Sequence, residues 1–378
     1  MSYKKLTTLC LLIAVFTACN NESDKKTLSG LNYKDFQMEK NEKSTGLYTL
    51  ANKNGMEVCI TNYGARVVSI MVPDKKGVFE DIVYGFPTIQ DYMNIKQNFG
   101  ATIGRYIGRI RNARFVLDNQ EYKLIPNKDN HIAHGGDPGF ADNIWEGEQM
   151  GESSARFTYL SHDGENGFPG NLTVKVTYTV TDNNELDIRY EAVTDAPTVL
   201  NMSNHSFFNI SGDLMTTVEN QILYVNADHF TSYDSTKCVS GEIRPVIDTP
   251  FDFNTPTEIG KRHNTNDEQL LITGGYDHTF VLNTKGDDKQ LAAKLYDPVS
   301  GRTLEVYTTE PGMQVYTGNG LKGKMVGKNG VAYPKRSSIC LETMHFQDSP
   351  NQPHFPSTVL RPGETFYSHT VFRFGVEK

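Results

Sequence analysis

Apolar and polar side chains alternate with a period of two over much of this chain. In the stretch from Leu172 to Val180, every second residue is Leu, Val or Tyr, and the residues between them are Thr or Lys. After the polar segment 182–184 the alternation resumes from Leu186 to Tyr190. A period of two on both arms of a polar turn predicts a half-buried antiparallel hairpin.

Shorter runs of the same kind recur from about residue 33 onward, separated by Gly, Pro, Asn and Asp clusters that are typical of turns. They predict strands at 57–61, 67–71, 155–160, 221–225, 279–282, 292–296, 303–308 and 370–374. No stretch has the length and period of a convincing amphipathic helix, although 267–272 is expected to form a short helical turn. The pattern therefore predicts an all-β fold, a large antiparallel β-sandwich, rather than βαβ units.

The amino terminus has a different pattern. Lys4 and Lys5 precede an apolar run over residues 9–16, and Thr17 and Ala18 precede Cys19. This predicts a lipoprotein-type signal peptide over residues 1–18, with Cys19 as the lipidated first residue of an exported, membrane-anchored protein (periplasmic or outer-membrane associated). The alternative is ordinary secretory cleavage nearby. Residues 19–32 are then a polar tether, and 33–378 form one catalytic domain.

Charge and cysteine content narrow the classes of partner. The chain has 378 residues and a formal net charge of -8, and its charges of both signs are interspersed. This argues against a nucleic-acid partner and favours a solvated surface, with membrane contact only through the lipid. We expect a monomer. Of the five cysteines, Cys59, Cys238 and Cys340 remain in the folded part; their spacing fits no metal site, and whether two of them form a disulfide stays open.

Two distant segments could supply a proton donor and a proton acceptor. His205 lies among small polar residues and two phenylalanines, and Glu342 lies inside an apolar strand-like run. Their ordinary pKa values of about 6.5 and about 4.3 make both roles available near neutral pH. A buried carboxylate is costly unless it is used or paired. The alternatives are a hydrogen-bonded core histidine and an edge-strand glutamate that faces solvent.

Arg105 and Arg109 could contact a small polar ligand. If their segment is a strand, residues four apart point to the same face, and one guanidinium can donate hydrogen bonds to ligand oxygens. The alternative is a structural ion pair or a loop anchor.

Asp277 follows two glycines at the start of an apolar strand, where it can accept hydrogen bonds from two hydroxyl groups. The alternative is a turn aspartate bonded to its own backbone. Gln314 is placed similarly after Pro311.

His131 and His134 are three residues apart, but the glycines at 135 and 136 would break a helix and no carboxylate completes a zinc signature. We therefore expect no metal ligands here. The glycines favour a loop in which the backbone approaches a ligand closely, beside His134. His131 is interpreted as a surface loop residue. The segment 161–170 is interpreted as a turn that leads into the hairpin and supports recognition.

Three runs in this order resemble the aldose 1-epimerase (galactose mutarotase) family. They are Asn-His-Ser-Phe-Phe-Asn at 204–209, Pro-Gly-Met-Gln-Val-Tyr-Thr-Gly-Asn at 311–319, and Leu-Glu-Thr at 341–343. The resemblance covers residues 35 to 376 and implies a galactose mutarotase-like supersandwich that needs no cofactor. One departure is Gly108, because many members carry asparagine immediately before the arginine that matches Arg109.

The resemblance also implies roles for individual residues. His205 matches the general acid and Glu342 the general base. Arg109 and His134 match residues that contact the sugar near its ring oxygen, and Asp277 and Gln314 are expected to orient its hydroxyl groups. We therefore expect an isomerase that interconverts the α and β anomers of free aldohexoses such as galactose and glucose.

Two alternatives stay open from the sequence. The first is a non-catalytic sugar-binding lipoprotein on the same fold. The second is a glycosidase, which would need two catalytic carboxylates, here Asp277 and Glu342.

Overall fold

The computed structural model describes residues 26–263 and 265–377, and the predicted signal peptide with Cys19 lies outside them. Within this part, the α-helices are α1 (Ile89–Asn94) and α2 (Glu268–Thr273). The strands are β1 (Glu39–Lys40), β2 (Lys43–Ser44), β3 (Leu47–Ala51), β4 (Glu57–Thr61), β5 (Arg66–Pro73), β6 (Phe79–Asp81), β7 (Ala101–Ile103), β8 (Arg109–Ile110), β9 (Arg114–Leu117), β10 (Gln120–Lys123), β11 (Ile132–Ala133), β12 (Glu146–Gln149), β13 (Ser154–Ser161), β14 (Leu172–Thr181), β15 (Glu185–Thr194), β16 (Thr198–Val199), β17 (Ser203–His205), β18 (Ile222–Val225), β19 (His229–Tyr233), β20 (Val239–Pro245), β21 (Thr257–Glu258), β22 (Asp277–Val281), β23 (Ala293–Tyr296), β24 (Arg302–Thr308), β25 (Gly312–Tyr316), β26 (Cys340–Met344), β27 (Val359–Leu360) and β28 (Phe366–Val376).

Three antiparallel sheets form the framework. The largest has nine strands in the order β12-β13-β14-β15-β28-β24-β23-β18-β21. A five-stranded sheet has the order β20-β19-β22-β25-β26, and a four-stranded sheet has the order β3-β4-β5-β6. The main hydrophobic core draws buried side chains from all three sheets, including Val176, Ile60 and Leu341. The prediction of a large antiparallel β-sandwich is therefore confirmed.

The predicted hairpin is β14 with β15, which pair from Leu172–Thr194 to Thr181–Glu185. Along β14 every second residue is buried, because successive side chains of a strand point to opposite faces. The other predicted strands are present with their ends moved by up to a few residues, and the expected helical turn is α2. Helix α1 was not predicted; its six residues are too few to show a helical period.

One local prediction is wrong. Arg105 and Arg109 do not lie on one strand, since β7 ends at Ile103 and β8 begins at Arg109. The intervening residues bend, and Gly108 has a φ of 75°, a left-handed conformation that glycine adopts without strain. The two guanidinium groups therefore need not share a face.

Residues in the described part of the predicted tether pack against the domain. Leu31 is buried, and the Leu28 N–H donates to Glu57 Oε1 at 2.7 Å. The division of the chain into a signal peptide, a tether over 19–32 and one domain over 33–378 stays a prediction. Among the described residues, no helix combines the length and apolar character needed to cross a bilayer.

The three cysteines of the folded part are buried free thiols, namely Cys59, Cys238 and Cys340. Burial raises the pKa of Cys59 and of Cys238 to about 12. These thiols therefore remain protonated and unreactive at neutral pH.

Candidate active site

A cleft of about 840 Å³ opens above the five-stranded sheet, and all six predicted site residues line it. They are Arg109, His134, His205, Asp277, Gln314 and Glu342. Glu342 and Gln314 come from adjacent strands of that sheet, and the others reach the cleft from β8, β17, β22 and the loop after β11. The tertiary structure thus gathers residues that are up to 233 positions apart in the sequence, as Arg109 and Glu342 are.

Strand register explains why the polar side chains face the cleft. Thr279 of β22 pairs with Gln314 of β25, which in turn pairs with Glu342 of β26. The residues on either side of Gln314, Met313 and Val315, belong to the hydrophobic core. Since side chains alternate along a strand, a core-facing neighbour on each side turns Gln314 toward the cleft.

His205 and Glu342 face each other across the base of the cleft. His205 Nε2 lies 3.5 Å from Glu342 Oε1, and the two residues are 6% and 3% exposed. Phe207 stacks on the imidazole with ring centroids 4.9 Å apart, which fixes the plane of the ring. Phe208 instead packs into the core against Phe372. Glu342 does lie on an edge strand of its sheet, but it is buried rather than solvent-facing.

The buried setting changes the proton affinity of this pair. Burial raises the pKa of Glu342 well above its ordinary value, and the negative charge of Asp277 raises it further. Burial lowers the pKa of His205 well below 6.5, and the nearby His134 lowers it further. Both shifts arise because an isolated charge is poorly solvated here. The carboxyl group therefore holds the proton more readily than the imidazole does.

His134 is held by a tight loop that depends on its glycines. The ring centroid of His134 lies 5.5 Å from that of His205, and the His134 N–H donates to the Gly108 carbonyl at 2.9 Å. Gly135 has a φ of 81°, and a Cβ atom there would come within 2.0 Å of the Gly104 carbonyl oxygen. Burial lowers the pKa of His134 to about 4, so the ring is neutral at physiological pH.

The segment 161–170 supports this loop. Asn166 Nδ2 donates to the Gly135 carbonyl at 2.9 Å and to the Pro138 carbonyl at 2.8 Å.

The interpretation of His131 as a surface residue is wrong, because His131 is buried and its Nδ1 accepts from the Asn112 N–H at 3.0 Å. His131 therefore pairs with the backbone of the neighbouring segment at Asn112.

The two arginines have different surroundings. Arg109 is half-buried at the cleft wall, where its guanidinium donates to the backbone carbonyls of Thr236, at 3.2 Å, and Lys237. Arg105 is buried away from the cleft and donates to Ser161 Oγ at 2.7 Å and to the Pro169 carbonyl at 2.7 Å. Arg105 is therefore a loop anchor, and Arg109 is available to a ligand.

Asp277 and Gln314 form a hydrogen-bonded pair in the wall of the cleft. Gln314 Nε2 donates to Asp277 Oδ1 at 2.6 Å, and Thr279 Oγ1 donates to Gln314 Oε1 at 2.6 Å. Burial raises the pKa of Asp277 to about 6, partly opposed by the bond from Gln314. Asp277 is therefore mostly ionised at neutral pH and can accept from hydroxyl groups.

The cleft also contains residues that the sequence did not single out. They include Tyr233, Tyr316 and Gln347. Gln347 lies only five positions after Glu342, so its proximity in the sequence was a usable signal. Tyr233 ends β19 in an otherwise unremarked segment, and only the pairing of β19 with β22 brings it to the cleft.

Two further observations bear on the chemistry. The imidazole Nδ1 atoms of His134 and His205 are buried and have no hydrogen-bond partner among the described residues. Ligand atoms of His205, Cys340 and Glu342 lie within 4.8 Å of one another and form a set that could hold a metal ion. The predicted reaction requires no metal at this position.

Comparison with known proteins agrees with this architecture. The family model for aldose 1-epimerase matches residues 46–373. The chain is 40% identical over 322 residues to the galactose mutarotase of Homo sapiens, covering 85% of this chain and 92% of that protein. It is 35% identical over 333 residues to the aldose 1-epimerase of Escherichia coli, covering 88% and 95%.

Solved structures show the same similarity. An aldose epimerase homologue from C. elegans superposes with a TM-score of 0.82 at 31% identity, covering 88% of this chain and all of that one. A galactose 1-epimerase from Lactobacillus acidophilus superposes with a TM-score of 0.80 at 27% identity, covering 90% and 98%. The shared fold, the family match along most of the chain and the relatives at 35–40% identity lead to one conclusion: this chain belongs to the aldose 1-epimerase family.

Proposed function

We propose that the protein catalyses the interconversion of the α and β anomers of a free aldohexose such as galactose or glucose, with Glu342 and His205 as its acid–base pair. Glu342 removes the proton from the anomeric hydroxyl while His205 protonates the ring oxygen, so the bond between C1 and the ring oxygen breaks and a carbonyl forms at C1. After rotation about the bond from C1 to C2, the two groups reverse roles and the ring closes. No electron is gained or lost overall.

The observation that carries this proposal is the separation of 3.5 Å between His205 Nε2 and Glu342 Oε1 at the base of the cleft. The anomeric oxygen and the ring oxygen are bonded to the same carbon, so an acid and a base that face the same small volume can act on both. Such a pair has a use in a proton-transfer enzyme and none in a simple sugar-binding protein.

The pair has to carry one proton between its two members. With two protons Glu342 could not act as a base, and with none His205 could not act as an acid. Because the groups are close, the proton is released in macroscopic steps that belong to the pair. When a sugar enters, its hydroxyl groups can form hydrogen bonds to the charged forms of the pair, which favours the carboxylate and the imidazolium.

The remaining cleft residues fit the binding of a neutral polyol. Arg109 and His134 line the cleft, and we expect them to stabilise negative charge that develops on the ring oxygen. The Asp277 carboxylate and the Gln314 amide offer acceptors and donors to the ring hydroxyls. Phe207 and Tyr316 supply aromatic surface in the cleft.

Polarimetry of freshly dissolved α-D-galactose and α-D-glucose tests this function. The purified protein should shorten the approach to anomeric equilibrium, and His205→Asn should lose most of this effect. His354→Asn is the matched control, because His354 bonds the Gly241 carbonyl at the surface and does not line the cleft. An unchanged rate with the intact protein, together with release of nitrophenol from a nitrophenyl galactoside, would favour the glycosidase alternative.

We also propose that the protein is exported and anchored through lipid on Cys19. The support is the sequence pattern of residues 1–19, in which two lysines, an apolar run and small residues precede the cysteine. Metabolic labelling with a radioactive fatty acid should mark the wild-type protein but not Cys19→Ser. A wild-type protein that is unlabelled and found wholly in the cytosol would contradict this proposal.

A further inference from the structure

Tyr233 lines the cleft, and its backbone is fixed by hydrogen bonds to helix α2. It is 6% exposed and lies at the end of β19, where its hydroxyl approaches Gln314. Gln269 of α2 bonds its backbone in both directions, accepting from the Tyr233 N–H at 2.6 Å and donating to its carbonyl at 3.0 Å. The position of the phenol ring is therefore set by the fold.

The amide of Gln347 lies against this hydroxyl in a defined orientation. The Arg109 backbone N–H can only donate, and it bonds Gln347 Oε1 at 3.0 Å. The amide nitrogen of Gln347 must then point the other way, where it donates to the Tyr233 hydroxyl at 2.6 Å and to Gln314 Oε1 at 3.2 Å. Both hydrogens of that nitrogen are thereby used.

The orientation of Gln314 is fixed from the opposite end. The ionised Asp277 carboxylate can only accept, and it receives Gln314 Nε2 at 2.6 Å. The second hydrogen of that nitrogen points toward the Tyr233 hydroxyl, 3.3 Å away. The Tyr233 oxygen therefore accepts from two amide groups, Gln347 and Gln314, neither of which can accept in return through its nitrogen.

We infer that Tyr233 is a substrate-binding residue that donates its hydroxyl hydrogen to a sugar oxygen, and that Gln347 is the positioning residue that fixes this direction. Both lone pairs of the phenol oxygen are used, so its hydrogen needs a separate acceptor. No acceptor is recorded for it in the protein over residues 26–263 and 265–377. Tyr233 lines the cleft, where a ligand can supply the acceptor.

Gly108 makes this arrangement sterically possible. A Cβ atom on Gly108 would come within 2.3 Å of Gln347 Cγ, so any larger side chain at 108 would displace Gln347. Here, Gln347 occupies the space beside Gly108 and connects the Arg109 backbone to Tyr233.

The inference rests on the proposed function and specifies how the sugar is selected. Tyr233 donates beside the Asp277 carboxylate, which accepts. A hydroxyl group that lies between them can donate to one and accept from the other. This predicts discrimination at one ring hydroxyl, the one that lies against Asp277, Gln314 and Tyr233.

Tyr233→Phe tests the inference because it removes the hydroxyl and keeps the ring. For galactose we expect KM to rise about 3- to 10-fold with kcat nearly unchanged, the pattern of a lost binding contact. Among the 2-, 3-, 4- and 6-deoxy sugars, the difference between wild type and variant should disappear for one. Tyr307→Phe is the matched control, since the Tyr307 hydroxyl bonds Glu305 at 2.9 Å and does not line the cleft.

Gln347→Leu tests the positioning role. It should raise KM in the wild-type background and have no further effect in the Tyr233→Phe background, because Gln347 acts only by fixing the direction of the Tyr233 hydroxyl, which Tyr233→Phe already removes. Additive effects of the two changes would overturn the role of Gln347. An unchanged KM in Tyr233→Phe, or a loss in kcat alone, would overturn the role of Tyr233. Thermal unfolding of each variant checks that it is folded.

Binding of 1-deoxygalactose by calorimetry separates this inference from the proposed function. This ligand lacks the anomeric hydroxyl and cannot be turned over. If the wild-type protein shows no mutarotation but binds 1-deoxygalactose, and Tyr233→Phe weakens this binding about 3- to 10-fold, the proposed function fails and the inference stands. If mutarotation is normal and the dissociation constant is the same in both proteins, the inference fails alone. An absence of any sugar binding overturns it as well.

Discussion

Replacing Glu342 with Gln should make the protein more stable and much less active. Among the described residues, the recorded polar contact of the Glu342 carboxylate is His205 Nε2 at 3.5 Å, and burial lowers the pKa of that imidazole. The carboxylate is thus buried beside a group that resists becoming positive. A neutral amide of the same shape removes this cost and also removes the base.

The effect on stability depends on pH in a defined direction. Burial raises the pKa of Glu342, so the folded protein binds this proton more tightly than the unfolded chain does. Proton binding by Glu342 therefore contributes its full stabilisation of the wild-type protein below about pH 4.3, the pKa of glutamate in the unfolded chain. This stabilisation is lost as the pH rises toward the higher pKa of Glu342 in the folded protein. Gln cannot ionise and avoids this loss. The gain should be about 1–3 kcal/mol at pH 8, or about 1–4 °C in the unfolding midpoint for a chain of this length.

The effect on activity has the opposite sign. A positioned general base contributes on the order of 10²–10⁴-fold, which corresponds to about 3–5 kcal/mol of transition-state stabilisation. Polarimetric initial rates at saturating α-D-galactose should fall by this factor, while binding of 1-deoxygalactose should change little.

Scanning fluorimetry at pH 5 and pH 8 measures the expected gain in stability, and the polarimetric assay on the same samples measures the expected loss of activity. Glu310→Gln is the matched control, because Glu310 is equally buried but bonds His345 Nδ1 at 2.6 Å and does not line the cleft. The control should lose stability, since it breaks a buried charge-assisted pair. The reasoning is refuted if Glu342→Gln is destabilised at pH 8 as the control is, or if it keeps more than about a tenth of the wild-type turnover.

Three further predictions follow from the geometry. Gly135→Ala should cost more than about 2 kcal/mol of stability and reduce activity, measured by urea unfolding and polarimetry, because the added Cβ displaces the loop that holds His134. His369→Gln should lose about 1–2 kcal/mol below pH 6 and less at higher pH, because the bond to Asp187 raises the pKa of His369 and its contribution fades as pH rises through that pKa; unfolding measured at several pH values checks this. The plot of kcat/KM against pH should be bell-shaped, because only the pair with one proton is active; its basic limb should lie above the range of an ordinary glutamate, because burial raises the pKa of Glu342, the group that releases the last proton, and a flat profile would contradict the acid–base pair.

The local alternation of apolar and polar residues was sufficient to predict the strands that form the sandwich. In β14 and β15, apolar residues at every second position have one low-energy arrangement, in which that face is buried. The pattern failed where local sequence does not set the backbone. The segment from Arg105 to Arg109 resembles a strand, but the chain bends there: Gly108 has a φ of 75°, and the buried guanidinium of Arg105 is bonded to Ser161, more than fifty residues away.

The sequence by itself determined the fold class, the family resemblance and six residues that meet in one cleft. Motifs and strand periodicity are properties of short stretches of sequence, so they can be recognised without the structure. The tertiary structure alone decided how those residues act on one another. The shifted pKa values of Glu342 and His205 depend on burial, and the direction of the Tyr233 hydroxyl depends on Gln347. These properties arise from desolvation and from hydrogen bonds between segments that only folding brings into contact, so no local pattern in the chain encodes them.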